Sequence, residues 1–269
     1  MRAYNIILIG CGNMGGALLS SWLESDMIQK CQILDPNDYP IDSKHKKILF
    51  HVKQAQMLDF TNIDMVILAV KPQILDDVCQ TIAPFCDGSF PVLSIAAGKS
   101  IATLTNHLNA NTPLIRAMPN TPASVKMGFT ALFANHQTTN DQKDIATNLF
   151  TTCGTTQWIN DEKLMDVVTA VSGSGPAYLF YFIEALTNAA IKNGMSADMA
   201  EIAARQTIIG AAALANHENA TTPQTLRENV TSKGGTTQAG LEVLMNEDFA
   251  DILNNTIAAA KKRSEELAD

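Results

Sequence analysis

Residues 8–23 read LIGCGNMGGALLSSWL, an apolar run that breaks into glycines and resumes with helical spacing. No other stretch limits the possible folds so strongly. Gly10, Cys11, Gly12, Asn13, Met14 and Gly15 form a G-x-G-x-x-G pattern between an expected strand (residues 5–9) and an expected helix (residues 14–25). In that context Gly10 allows a tight turn and Gly12 lets backbone approach a pyrophosphate. Gly15 lets helix and strand pack closely, and the helix N-terminus supplies unpaired N–H groups. The alternative is a plain strand-to-helix turn; three glycines at this spacing favour dinucleotide binding.

Short apolar runs continue at residues 32–34, 65–70 and 91–95, with further candidates at 114–117 and 129–133. Interleaved with helix-length segments, they imply a parallel sheet covered on both faces. From about Asp161 the strand signal fades, and helices are expected over 167–190, 197–215, 223–230 and 240–267. Two domains follow, residues 1–160 for the dinucleotide and an all-helical part over 161–269. The helix after Pro176 stops at Lys192-Asn193-Gly194. Leu179, Phe182, Ile183, Leu186 and Ala190 form one apolar face of it, yet Phe180, Tyr181 and Ala185 cover the other. A helix apolar all round is buried all round, and about 100 helical residues scarcely enclose one alone. A partner subunit is therefore expected to cover it; the central helix of a monomeric bundle is the alternative.

Charge and cysteine usage narrow the function classes. Lys and Arg number 19 against 27 Asp and Glu, a net charge of −8 over 269 residues. That balance argues against a general nucleic-acid surface, and Lys44, Lys46 and Lys47 are the only dense basic cluster. The longest uncharged apolar stretch, residues 167–183, contains Gly173, Gly175 and Pro176, which make it short and broken as a membrane span. Five scattered cysteines and a start that runs directly into a strand suggest a cytoplasmic protein. The five histidines are dispersed, and no metal-ligand spacing is present, so no metal is expected.

In an open parallel sheet, ligands gather beyond the carboxyl ends of the strands. Asp35 lies about twenty residues past the last glycine, where an acid binds a ribose 2′-hydroxyl and repels a 2′-phosphate. This leans toward NADH over NADPH. A loop-capping role for Asp35 is equally open, and Lys44, Lys46 and Lys47 could serve a phosphate if their loop folds back. Three further loops qualify: AVKPQ (69–73), SIAAG (94–98) and RAMPNTPASV (116–125). Ala69, Val70, Lys71 and Pro72 of the first, and Ala97 of the second, are candidate cofactor contacts.

These stretches, with TAVSGSGPAY (169–178) and VTSKGGTTQAGL (230–241), occur in the order typical of pyrroline-5-carboxylate reductases, which the chain resembles over nearly its full length. The resemblance implies an α/β subunit with an N-terminal Rossmann-type parallel sheet and a C-terminal all-helical dimerisation domain. It implies reduction of a cyclic imino acid, Δ1-pyrroline-5-carboxylate, to L-proline by NADPH or NADH, in a homodimer that can build a ring of dimers. In VTSKGGTTQAGL, Gly234 and Gly235 free the backbone ahead of a helix expected near Thr237, whose N–H groups suit a carboxylate. Ser232 and Thr236 add donors, and Lys233, where the family usually has proline, adds charge. By resemblance Thr237 bonds the imine nitrogen, Glu162 lies near the substrate and Asn229 beside the cofactor; Glu162 and Asn229 read equally as helix-end residues. A β-hydroxyacid dehydrogenase would carry a lysine on the central helix, which here has none before Lys192. A non-catalytic dinucleotide sensor would not need a Ser/Thr-rich anion cradle.

Overall fold

The apolar runs become the centre of one eight-stranded sheet in the computed structural model, which describes residues 2–267. Its strands are β1 (Tyr4–Ile9), β2 (Ile28–Leu34), β3 (Leu49–Val52), β4 (Met65–Leu68), β5 (Val92–Ser94), β6 (Leu114–Met118), β7 (Gly128–Ala134) and β8 (Gly154–Trp158). They lie in the order β3-β2-β1-β4-β5-β6-β7-β8. The chain winds outward from β1 through β2 to β3, then crosses back to β4, so the strand order reverses between β1 and β4. Ligands of such sheets gather at that reversal.

Alternation along the central strands explains why both faces are covered. Ile6, Leu8, Met65 and Ile67 enter one buried cluster, and Ile7, Ile9, Val66 and Leu68 enter the other. Helices α1 (Asn13–Glu24) and α4 (Asn140–Thr151) close the first face; α2 (Pro72–Ile82) and α3 (Ile101–His107) close the second. Trp22 ties α1 to α4: its ring meets Phe150 edge-on at 6.4 Å, and its Nε1–H donates to the Leu149 carbonyl at 2.9 Å. Truncating so fully buried an aromatic to alanine costs about 3–5 kcal/mol.

Three departures from the sequence expectation have local causes. The edge strands β3 and β8 were not foreseen: each is only half-buried, LFHV is apolar but only four residues long, and GTTQW carries a single large apolar residue. The sheet is not wholly parallel: β7 runs antiparallel to β6, since residues 119–127 between them are too few for a crossover. The helix expected over 167–190 is broken. A short α5 (Leu164–Val168) runs into a π-helical turn at Thr169–Gly173, closed by the Ser174 N–H donating to the Thr169 carbonyl. The pair Gly175-Pro176, which begins the next helix, favours that interruption.

The chain forms two compact units that divide after Ser174, later than the change in sequence texture at Asp161. The π-helical turn stays with the sheet because the Asn120 side-chain amide donates to the Ser172 carbonyl and hydroxyl. The second unit, Gly175–Ala259, is helical: α6 (Gly175–Lys192), α7 (Ala197–His217), α8 (Pro223–Asn229), α9 (Thr236–Asn246) and the first part of α10 (Phe249–Glu266), whose residues from Ala260 return to the first unit. The stop after α6 falls at Gly194, φ +99°, with Met195 N–H donating to the Ala190 carbonyl and Gly194 N–H to that of Ile191. The single helix expected over 240–267 is divided at Asp248, which takes a left-handed φ of +55°. Within the single chain the apolar residues of α6 and α7 are open: Phe180 is 64% exposed, Tyr181 70% and Ile202 69%. No described helix is long and apolar enough to cross a membrane.

Candidate functional site

The glycine turn sits at the carboxyl end of β1, where the strand order reverses. Gly10 has φ +89°, and a Cβ there would lie 2.6 Å from the Ala69 carbonyl oxygen. A Cβ on Gly15 would run into the Gly10 carbonyl oxygen, so the close approach of α1 to β1 and to Ala69 admits only glycine. Gly12 differs: nothing lies within 4 Å of its would-be Cβ. It is the N-cap of α1, with no side-chain cap and no acid in the first turn. The first helical bond, Gly16 N–H to the Gly12 carbonyl, leaves the N–H groups of Asn13, Met14 and Gly15 ahead of it. Open space before three free donors fits a diphosphate.

Two clefts flank this turn and share Gly12, Ala69, Val70 and Lys71. The first, about 540 Å³, is bounded by Asp35, Pro36, Asn37 and Lys53. Asp35 is heavily engaged there. Its Oδ2 accepts from the Cys11 N–H at 2.8 Å, and its Oδ1 accepts from the Asn37 N–H at 2.8 Å and the Asn37 side-chain amide at 3.2 Å. It therefore caps its own loop and braces the glycine turn while facing the cleft. Burial, with the Asp35 carboxylate adding to it, pushes the Cys11 thiol up to about 12. Lys53 pairs with Asp38 at 2.7 Å. Of the basic cluster, Lys47 lies beside Asn5, Gln29 and Lys30 at the amino ends of β1 and β2, the opposite edge from the glycine turn.

The second cleft, about 440 Å³, is lined by Asn13, Met14, Pro72, Ala96, Ala97, Met118, Asn120 and Gly173 among others. Lys71 is the N-cap of α2, and Pro72 opens that helix. Asn120 fixes this end: besides its bonds to Ser172, its Oδ1 accepts from the Phe129 N–H at 2.9 Å. Glu162 lies apart from the cleft lining. Its Oε1 accepts from Arg116 Nη1 at 2.6 Å and from the Ile101 N–H at 2.7 Å, clamping β6 to the start of α3.

The second unit holds the other candidates. Asn229 is the exposed last residue of α8. Ser232 and Lys233 are exposed in the turn that follows, Gly234 takes φ +72°, and Gly235 is the N-cap of α9 with no side-chain cap. Gly235 N–H donates to the Ser232 carbonyl, and the first helical bond is Ala239 N–H to the Gly235 carbonyl. Thr236, Thr237 and Gln238 therefore present N–H groups ahead of it, with both threonine side chains exposed. The Gln238 Oε1 accepts from the Gly234 N–H at 2.7 Å and steadies the turn.

Lys53 and Asn37 were missed in the sequence. Lys53 follows β3, itself unrecognised, so nothing marked it as a loop residue at a strand end. Asn120 and Gly173 stood inside recognised stretches, but the bond from Asn120 to Ser172 that brings both to one cleft joins parts of the chain that no local pattern relates.

Comparisons with known proteins agree over the whole chain. A family model described as pyrroline-5-carboxylate reductase dimerisation matches residues 162–267, and one described as NADP oxidoreductase coenzyme F420-dependent matches residues 5–98. The chain is 36% identical to a pyrroline-5-carboxylate reductase of Pseudomonas aeruginosa, covering 100% of this chain and 98% of that one. It is similar to the solved structure of a pyrroline-5-carboxylate reductase from Coxiella burnetii, with a TM-score of 0.92 at 32% identity and full coverage of both chains. A Plasmodium falciparum pyrroline carboxylate reductase solved with NADP bound aligns over 100% of each chain, with a TM-score of 0.85 at 29% identity.

Proposed function

We infer the chemistry from one premise: the chain belongs to the pyrroline-5-carboxylate reductase family. It is an oxidoreductase that reduces the C=N bond of Δ1-pyrroline-5-carboxylate to give L-proline, the last step of proline biosynthesis. A nicotinamide cofactor, when bound, supplies the hydride. The observation that carries the reading is the Gly12 turn, where three backbone donors face open space between two clefts.

The chain's own residues bind and orient. Asn13, Met14 and Gly15 offer N–H groups to a diphosphate, with Gly10, Cys11 and Gly12 shaping the approach. Ala69, Val70, Lys71, Pro72 and Ala97 border the clefts on either side and are assigned as cofactor contacts, with Asn229 a further one. Asp35 faces the ribose end; its carboxylate, already braced by Cys11 and Asn37, disfavours a 2′-phosphate, so we assign NADH as the preferred of the two cofactors.

Residues 1–160 serve the dinucleotide, with Gly173 joining them in the second cleft, and the rest of 161–269 chiefly serves dimerisation and the substrate. The α9 N-terminus is the assigned substrate cradle. Ser232, Lys233, Gly234, Gly235 and Thr236 surround its free N–H groups, which suit the substrate carboxylate. Thr237 hydrogen-bonds the substrate nitrogen through its hydroxyl, donating to a neutral imine or accepting from a protonated one, and orients it; the hydroxyl is too weak an acid to be the net proton source, which falls to water or the protonated imine. Glu162 acts by holding Arg116 and the start of α3. Positioning of two reactants in this way can supply roughly 7–11 kcal/mol of the barrier.

Self-association is expected from the dimerisation region, and the open apolar residues of α6 and α7 support a homodimer, with rings of dimers a further assembly. Five free cysteines support a reducing, cytoplasmic setting. The test is oxidation of NADH or NADPH by the purified protein with pyrroline-5-carboxylate added. L-Proline should form with at least one cofactor; silence with both would sink the reading.

A further inference from the structure

The segments that carry two walls of the 440 Å³ cleft, the turn after Ala97 and α5 leading to Gly173, are both contacted by the same short piece of chain, the last turn of α10 with Leu267 just beyond it. Gly98 has φ +75°, and a methyl on it would lie 3.0 Å from the Leu267 carbonyl oxygen and 3.3 Å from the Leu267 Cβ. The chain at Leu267 therefore rests on the turn immediately after Ala97, a lining residue. One helical turn earlier, Ser264 is 6% exposed and donates its hydroxyl to Asp166 Oδ1 at 2.7 Å. Asp166 lies on α5, which runs through the π-helical turn to Gly173, the lining residue of the opposite wall.

Simple coverage of apolar surface would bury the Leu267 side chain. That side chain is 52% exposed, and the close approach to Gly98 is made largely by backbone. Contact through backbone, beside a part-buried hydroxyl–carboxylate bond, sets a distance instead of adding hydrophobic area.

We propose that the last turn of α10 is a positioning element for the nicotinamide end of the cofactor cleft, with Ser264 and Asp166 anchoring it to α5 and Leu267 bearing on Gly98. It holds the Ala97 loop and the Gly173 turn at the separation a flat ring requires. The inference rests on the proposed cofactor reading, with the ribose end beside Asp35 in the first cleft and the nicotinamide therefore in this second one.

The test is calorimetric, on the full-length protein, with NADH and with ADP-ribose, which lacks the nicotinamide ring. Ser264→Ala removes the anchor, and Gly98→Ala wedges a methyl against Leu267. Each should weaken NADH by about tenfold, the worth of one ordinary hydrogen bond, and leave ADP-ribose within about twofold of wild type. Asp166→Asn keeps an acceptor for Ser264 and should bind NADH like wild type. The proposal is overturned if NADH and ADP-ribose weaken together, or if neither changes in Ser264→Ala. A wild-type protein that binds both ligands yet never reduces pyrroline-5-carboxylate would refute the assigned activity and leave this inference standing.

Discussion

Replacing Gly12 with alanine separates what the glycine turn needs to fold from what a dinucleotide needs to bind. The added Cβ meets no atom within 4 Å, and the backbone at φ −71°, ψ −159° is open to alanine. In the free protein two small effects oppose each other. Alanine restricts the unfolded chain, worth about 0.4–1 kcal/mol, and it is a poorer N-cap than glycine by about 0.5–1 kcal/mol. The melting temperature should therefore move by no more than about 2 °C. Binding should respond far more. The methyl fills the space through which Asn13, Met14 and Gly15 reach a phosphate. Losing the equivalent of one charge-assisted bond, about 1.5–3 kcal/mol, raises Kd about 10- to 150-fold. Gly15→Ala is the counterpart, because its Cβ runs into the Gly10 carbonyl oxygen. Overpacking there costs about 1–3 kcal/mol, offset in part by up to about 1 kcal/mol of helix propensity. Scanning fluorimetry of the free proteins and calorimetry with NADH and NADPH give both numbers. Wild-type affinity in Gly12→Ala, or a large loss of its melting temperature, would refute the reasoning.

Four further outcomes are expected. Thr237→Ala should lower kcat on the order of 10²-fold, as removal of one transition-state donor does, with the cofactor KM nearly unchanged; weaker cofactor binding at full turnover would contradict the assignment. Asp35→Ser should narrow any gap between NADH and NADPH in kcat/KM, and an unchanged ratio would remove Asp35 from cofactor selection. Phe180→Glu places a charge on the open face of α6 and should shift sedimentation from dimer to monomer; a dimer that persists excludes that face from the interface. Burial holds the Cys11 and Cys79 thiols at about 12 and Cys86 at about 11, against 9.0 for a free thiol. Unfolded thiols then ionise first, so this contribution to stability is complete below pH 9 and is lost as pH climbs toward 11–12. Native protein at pH 8 should resist iodoacetamide while urea-unfolded protein reacts at every cysteine, and rapid native labelling of Cys11 would overturn the burial account.

How far the sequence could be read depended on how local each cause was. The central strands were legible because both their faces are buried, which demands runs such as YNIILI and MVIL. The edges were not: β3 and β8 are half-buried, and neither the four residues of LFHV nor the polar GTTQW makes a run long and apolar enough to announce a strand. With β3 unread, Lys53 could not be placed. The stop at Gly194 was legible because glycine and asparagine there are a chemical necessity of the turn, whereas the break at Asp248 depends on a residue that tolerates, without announcing, a left-handed backbone.

By themselves the residues in order determined a turn that requires glycine at positions 10 and 15, its place between a strand and a helix, and a second glycine-led helix start bearing Ser232, Thr236 and Thr237. Each of these follows from backbone sterics within a few residues. The distant partners of Asp35 and Glu162, unlike the Asn37 that Asp35 caps two positions on, were decided by tertiary structure alone. A carboxylate accepts from whichever donors the fold brings to it: Cys11, 24 positions from Asp35, and Arg116 and Ile101, 46 and 61 positions from Glu162. No spacing along the chain encodes those meetings, because they exist only once the strands and helices have packed.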